Sequence, residues 1–177
     1  ADGVKLGAES VQARTVIWAA GVKPSPLGKM LTDAVGGELD KSGRVVVDKN
    51  LRVKSPDTSL RPIFVLGDLA HALDKNGKPL PGLAPVAMQA GRYAGRTLGR
   101  IARNEALEDF HYVDKGQMAT IGRRRAIVEA GRVKFSGYFA WATWLFVHIY
   151  YLIGFRNRFL VFFQWAWAYI TFRRGAR

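Results

Sequence analysis

Ile63-Phe64-Val65-Leu66-Gly67-Asp68 and, after a polar loop, Pro81-Gly82-Leu83-Ala84-Pro85-Val86-Ala87-Met88-Gln89 are the two stretches that decide how this chain folds. The first is an apolar run halted by Gly-Asp, the pattern of a buried strand. A glycine at a strand end lets a ligand or a second backbone approach closely. An aspartate beside it can accept hydrogen bonds from sugar-like hydroxyls, and in α/β folds ligands gather at the carboxyl ends of strands. Taken alone, Gly67-Asp68 also reads as a plain turn. The second stretch opens a helix expected over residues 85–103. Pro85 suits its first turn, where a missing N–H costs little. Unpaired amides and the helix dipole at that end would stabilise an anion. Ala87, Ala90, Gly91, Ala94 and Gly95 leave a smooth face, open to a flat ring or simply to a neighbouring helix.

Outward from these stretches, short strands and turns alternate. Thr15-Val16-Ile17-Trp18-Ala19-Ala20 is a β-type run ended by Gly21, with Pro24 and Pro26 beyond it. Gly43-Arg44-Val45-Val46-Val47-Asp48 and Leu51-Arg52-Val53-Lys54 read as strands joined at Lys49-Asn50. Asn76-Gly77 signals a turn. Residues 117–121 and 126–129 are expected to pair around Gly122-Arg123-Arg124-Arg125. The fold class is therefore α/β.

Charge and aromatic content divide the chain. Twenty-seven Lys and Arg against 14 Asp and Glu give a net charge of +13, which calls for an anionic partner: nucleic acid, anionic lipid or a phosphate-bearing cofactor. No cysteine is present, which excludes disulfides, thiolate metal sites and cysteine nucleophiles. No Asp or Glu follows Glu129, and four of the five Trp lie beyond residue 134. Residues 135–155 carry no charge, a length of about 20 that would reach across a bilayer. Yet the run holds Ser136, Gly137, His148 and Gly154, and its Trp and Tyr prefer the lipid–water interface. Arg156 and Arg158 then break it before a second apolar run. Two aromatic helices flanked by arginines fit an interfacial anchor, with a membrane span and a buried soluble core as the other readings. His148 has no second histidine nearby, so no metal site is expected.

In this order, residues 15–21, 43–48, 63–68 and 81–89 resemble the two-dinucleotide-domain (Rossmann-like) flavoprotein reductases. The Pro-Val-Ala-Met-Gln segment, Gly116-Gln117-Met118-Ala119-Thr120-Ile121-Gly122-Arg123 and the basic aromatic tail narrow the resemblance to the type II NADH dehydrogenases, over nearly the whole chain. The resemblance implies a membrane-surface oxidoreductase that passes electrons from NADH through FAD to a membrane quinone. It implies residues 1–22 as the end of an NADH-binding domain and 23–113 as the C-terminal half of an FAD-binding domain. Residues 114–134 would be a strand pair and 135–177 amphipathic membrane-anchoring helices. It places Gly67 and Asp68 at the FAD ribityl or pyrophosphate region, and Ala87 and Met88 against the flavin ring. Pro85 and Gln89 would face quinone, and Lys134 lies near where some members place a basic quinone-site residue, a solvated or lipid-facing Lys being the other reading; many relatives carry Gln where this chain has Pro85, so no side-chain hydrogen bond can come from there. It further implies an anionic membrane surface as partner, no nucleic acid, a peripheral place on the cytoplasmic face of the inner membrane, and room for a homodimer.

One departure from that family pattern is large: neither Gly-x-Gly-x-x-Gly fingerprint occurs. A chain without them is expected to bind neither dinucleotide well and not to turn over alone. The competing functions are a basic module that binds membrane or nucleic acid through Arg123-Arg124-Arg125 and the tail, and an inactive truncated product. Against the nucleic-acid reading, the aromatics lie in long apolar runs and do not alternate with basic residues.

Overall fold

Asp-led turns set the architecture of the first part of the chain. In the computed structural model, which describes residues 3–17, 19, 21–57 and 61–171, the chain separates into two units, Ala1–Tyr112 and Val113–Arg177. Three times in the first unit the backbone reverses over Asp-Lys-x-(Gly/Leu)-(Arg/Lys), at Asp40, Asp48 and Asp74. Each time the Asp Oδ1 accepts two backbone N–H groups: Ser42 and Arg44 at 2.8 Å, Asn50 and Arg52 at 2.8 and 2.9 Å, Asn76 and Lys78 at 2.8 Å. The fourth residue takes a left-handed conformation, at Gly43, Leu51 and Gly77. Leu51 pays the steric cost of φ 59° because its side chain, 2% exposed, is a keystone of the core.

Frequent reversal keeps the strands short. β1 (Val4–Leu6) and β2 (Glu9–Val11) form an antiparallel hairpin. β3 (Val45–Val46) and β4 (Ala70–His71) pair in parallel. The strands expected at 51–54 and 63–66 are present only as single bridges, Val47–Val53 and Arg52–Phe64, and Gly67–Leu69 winds into a 3₁₀ turn. The strand expected at 15–20 is absent from its described residues: Thr15, Val16, Ile17 and Ala19 lie in no strand, and Ile17 is 82% exposed. A strand needs a neighbour to satisfy its backbone, and none of the described strands runs beside this segment. Trp18 and Ala20 lie outside the described residues.

Two helices close the first unit. α1 (Leu27–Val35) was not evident in the sequence reading; Pro26 stands at its start and Gly36, at φ 68°, caps its end. α2 (Ala84–Ala102) matches the expected helix within one residue at each end. It buries Val86, Ala90, Tyr93, Ala94 and Thr97, one stripe at helical spacing. Val86, Ala90 and Tyr93 of that stripe join Val45, Val47, Leu51, Val65, Ala72 and Leu80 in one core. The chain after α2 is fastened back: the Tyr93 hydroxyl donates to the Glu108 carbonyl (2.5 Å) and accepts from Asn50 Nδ2 (2.8 Å), and Phe110 N–H donates to the Lys49 carbonyl (2.8 Å).

The second unit is an antiparallel sheet, β5 (Gln117–Gly122), β6 (Arg125–Ala130) and β7 (Val133–Gly137), followed by α3 (Tyr138–Tyr151) and α4 (Phe155–Thr171). The first two strands pair as the sequence indicates. The third crosses the boundary expected between residues 134 and 135: Phe135, Ser136 and Gly137 belong to β7, so the helical tail begins only at Tyr138. Ala126, Val128 and Ala140 are buried beneath Phe135, Trp141 and Trp144. Arg158 closes the joint between the helices by donating from Nε to the Leu152 carbonyl at 2.8 Å. Among the described residues, no helix is long and apolar enough to cross a membrane.

Candidate functional site

The Gly67–Asp68 corner and the start of α2 meet at the rim of a cavity of about 380 Å³. Gly67, at φ 66°, makes the reversal that a side chain would strain. Gly67 also lies against α2: a Cβ placed there would sit 3.7 Å from the Ala87 Cβ. Gly82 does the same for Asp68, since a Cβ at Gly82 would stand 3.1 Å from the carboxylate Oδ1. The 3₁₀ turn is seated from below by α1, where Gly28 leaves room for Leu69 and Val45. Asp68 is exposed, and among the described residues its carboxylate accepts no hydrogen bond. A carboxylate acceptor at this corner, with open space beside it, suits hydroxyl groups of a bound molecule.

Of the site residues read from the sequence, Gly67 and Asp68 line the cavity, and Ala87 adjoins Gly67. The helix residues that face the cavity are Val86 and Ala90. Pro85, Met88 and Gln89 are half-buried on α2, outside that lining. The free amides expected at the start of α2 are largely used: Val86 and Ala87 both donate to the Leu83 carbonyl, at 3.0 and 3.2 Å, and Pro85 has no N–H. What remains there for an anion is chiefly the helix dipole. Lys134 belongs to the second unit, on β7, opposite Glu129 on β6 and ion-paired with it at 2.6 Å.

A polar cluster missed in the sequence reading reaches the same cavity wall through Arg44. Arg44, which lines the cavity, donates from Nε to Asp40 Oδ2 at 2.8 Å. His71 Nδ1 lies 2.9 Å from the same oxygen and 3.1 Å from Arg44 Nη2. Burial works against the Asp40 charge, but the backbone N–H and guanidinium of Arg44 and the Ser42 N–H outweigh it and hold the carboxyl down at about 2. The repeated Asp-Lys turn was the available signal for Asp40 and Arg44; nothing local pointed to His71.

The second unit offers a different surface. Trp144 stacks on Trp165, their rings 5.5 Å apart and 11° from parallel, which joins α3 to α4. Arg123 covers the Tyr169 ring and donates to its carbonyl, and Arg124 donates to its hydroxyl. Two members of the arginine run thus bind the end of α4. Phe139 and Phe146 on α3, and Phe159, Phe163, Trp167 and Ile170 at helical spacing on α4, remain exposed. Arg173, Arg174 and Arg177 lie outside the described residues.

Comparison with known proteins bears on both units. Residues 2–91 match the model of the pyridine nucleotide-disulphide oxidoreductases, and residues 115–174 match that of the NDH2 C-terminal domain. The chain is 38% identical to the type II NADH:quinone oxidoreductase NdhA of Mycobacterium tuberculosis, over 96% of this chain and 35% of that protein. It is 31% identical to the mitochondrial internal alternative NAD(P)H-ubiquinone oxidoreductase A1 of Arabidopsis thaliana, over 92% of this chain and 34% of that one. The chain therefore spans about a third of the length of the curated relatives it matches. Among solved structures, NDH2 from Plasmodium falciparum in complex with NADH shares the fold, with a TM-score of 0.52 over 58% of this chain and 22% of that one, at 23% identity.

Proposed function

We propose, on the premise that this chain belongs to the pyridine nucleotide-disulphide oxidoreductase family and to its type II NADH dehydrogenases, that it is the flavin- and quinone-facing part of an enzyme carrying electrons from NADH through FAD to a membrane quinone. The observation that carries this reading is the convergence of Gly67, Asp68, Gly82 and Ala87 beside one cavity. A cradle that a single added Cβ would crowd, next to an unengaged carboxylate, fits the sugar-alcohol chain of a flavin. FAD, when bound, supplies the two-electron chemistry. The protein's own part is placement: Asp68 accepts hydrogen bonds from ribityl hydroxyls, Gly67 and Gly82 admit them, and Ala87 gives the ring a flat neighbour. The dipole of α2 favours negative charge at its N-terminal end.

Gln89 lies two residues beyond Ala87 and so points to another side of α2. We assign it, with Pro85 and Met88 beside it, to the quinone side, where its amide can donate to a quinone carbonyl; Lys134 would belong to the same side only in its unpaired form. The aromatic face of α3 and α4 would rest in the cytoplasmic surface of the inner membrane, the phase from which quinone comes. Measured in the full-length enzyme, Asp68→Ala is expected to lower bound flavin, since a hydrogen bond to a charged group contributes about 1.5–3 kcal/mol. Gln89→Leu is expected to leave NADH-dependent flavin reduction nearly unchanged in stopped flow and to slow reoxidation by quinone about three- to tenfold. Unchanged flavin content in the first variant, or equal slowing of both half-reactions in the second, would refute these assignments.

A further inference from the structure

We propose that Asp40, Arg44 and His71 are positioning residues that clamp the Gly67–Asp68 corner in place, with His71 held as the tautomer that carries its proton on Nδ1; the proposal rests on reading that corner as the FAD-holding site.

The need for a clamp follows from the backbone. The 3₁₀ turn bearing Asp68 runs directly into β4, so the path of β4 sets where the carboxylate stands. β4 is two residues long and pairs with β3 only through Val45–Ala70 and Val46–His71. A ladder of this length is weak alone. His71, three residues after Asp68, adds a side-chain tie from β4 to the Asp40 turn on the far side of β3. Arg44 completes the tie and is also a wall of the cavity that Asp68 lines. The three side chains are only 12%, 23% and 20% exposed for Asp40, Arg44 and His71, so solvent screens their interaction poorly.

The tautomer follows from counting donors. Asp40 Oδ2 has two nitrogens within reach, Arg44 Nε at 2.8 Å and His71 Nδ1 at 2.9 Å. If Nδ1 were bare it could accept from Arg44 Nη2, 3.1 Å away, but its lone pair would then face an ionised carboxylate oxygen at the shorter distance. With the proton on Nδ1, the carboxylate gains a second donor and Arg44 keeps its Nε bond, giving up only the longer Nη2 contact to His71. None of the three side chains needs to touch the cofactor for this; they act through the backbone that carries Asp68.

Two measurements test the clamp. In the ¹⁵N-histidine-labelled chain, two-bond proton–nitrogen NMR is expected to give His71 as the Nδ1–H form, whereas free histidine favours Nε2–H; the resonance is assigned by its loss in His71→Asn. In the full-length flavoprotein, His71→Leu should weaken FAD binding about tenfold, as loss of a charge-assisted hydrogen bond would. His71→Asn, whose amide can stand where Nδ1–H stood, should restore most of it. If His71→Leu does not fold, His71→Gln, whose amide cannot reach that position, takes its place. An Nε2–H His71, or FAD affinity indifferent to these substitutions, overturns the proposal. Asp68→Ala is run alongside: if that variant alone binds FAD normally, the reading of the corner fails, while the tautomer measurement still decides the clamp.

Discussion

Replacing Asp40 by Asn probes the turn that anchors the cavity wall, and its consequence can be worked out as a function of pH. The carboxyl is held at about 2 against an ordinary 3.8. Each unit corresponds to about 1.36 kcal/mol, so ionised Asp40 contributes about 2 kcal/mol to folding at neutral pH. The side chain is 12% exposed, so little discount for screening is needed. The sign is that of a depressed acid. The stabilisation is present in full above the unfolded value near 3.8, shrinks as pH falls through the interval between the two values, and is gone below about 2. Asn resembles the protonated carboxyl in shape and, like it, lacks the charge of the ionised form. The difference in stability between the native chain and Asp40→Asn should therefore be about 2 kcal/mol at pH 6 and approach zero near pH 2. Urea titrations of both proteins, followed by the amide resonances of Val46 and Leu51 in two-dimensional NMR, read this difference directly. A difference that stays constant from pH 6 to pH 2 would mean that Asp40 acts through shape alone, and the electrostatic account of the turn would be wrong.

Two further outcomes follow from the geometry. Gly82→Ala places a methyl 3.1 Å from the Asp68 carboxylate at a position without left-handed backbone; flavin occupancy of the full-length enzyme should fall several-fold while thermal stability of the chain changes by less than about 1 kcal/mol. Replacing exposed Phe159, Phe163 and Trp167 on α4 by Ser should reduce partitioning onto anionic phospholipid vesicles more than about a hundredfold, since each large side chain contributes about 1.5–3 kcal/mol when buried; 1 M salt should release much less, because apolar insertion is not screened.

How much of the fold could be read in advance depended on whether its signals were local. α2 announces itself through Pro85 near the start and apolar residues at helical spacing, and the structure places it within one residue of expectation at each end. β5 and β6 were legible because alternation along Ala126, Ile127 and Val128 matches a strand with one buried face. α1 was missed although its limits were written in the sequence, with Pro26 before it and Gly36-Gly37 after it. β7 was hidden for a different reason. Val133-Lys134-Phe135-Ser136-Gly137 alternates like a strand, but it runs straight into an aromatic helix, and composition masked the change of period. At 51–54 and 63–66 the apolar content gave the right burial and the wrong regularity: Leu51 and Val65 are in the core, yet the Asp-led reversals leave room for single bridges only.

The candidate site divides along the same line. Gly67-Asp68 was recognisable because a strand-end glycine followed by an acid is a contiguous pattern, and the cavity does lie beside it. Nothing in the sequence around Gly82 says why it is glycine; the reason is the Asp68 carboxylate, which only a folded chain brings to it. The Asp40–His71 contact spans 31 residues of sequence and joins a turn to a two-residue strand, so no window of sequence contains it. Asp40 shares its turn chemistry with Asp48 and Asp74, and of these only the Asp40 turn reaches a histidine. The Asp48 turn is tied to the chain after α2 through Asn50 and Lys49, but of the three turn carboxylates only that of Asp40 itself holds a partner distant in sequence. That asymmetry is what separates a positioning role from ordinary turn stabilisation. Removing the Asp74 carboxylate should loosen its own reversal and removing that of Asp48 the fastening of residues 108–110, whereas removing that of Asp40 should be felt at Asp68.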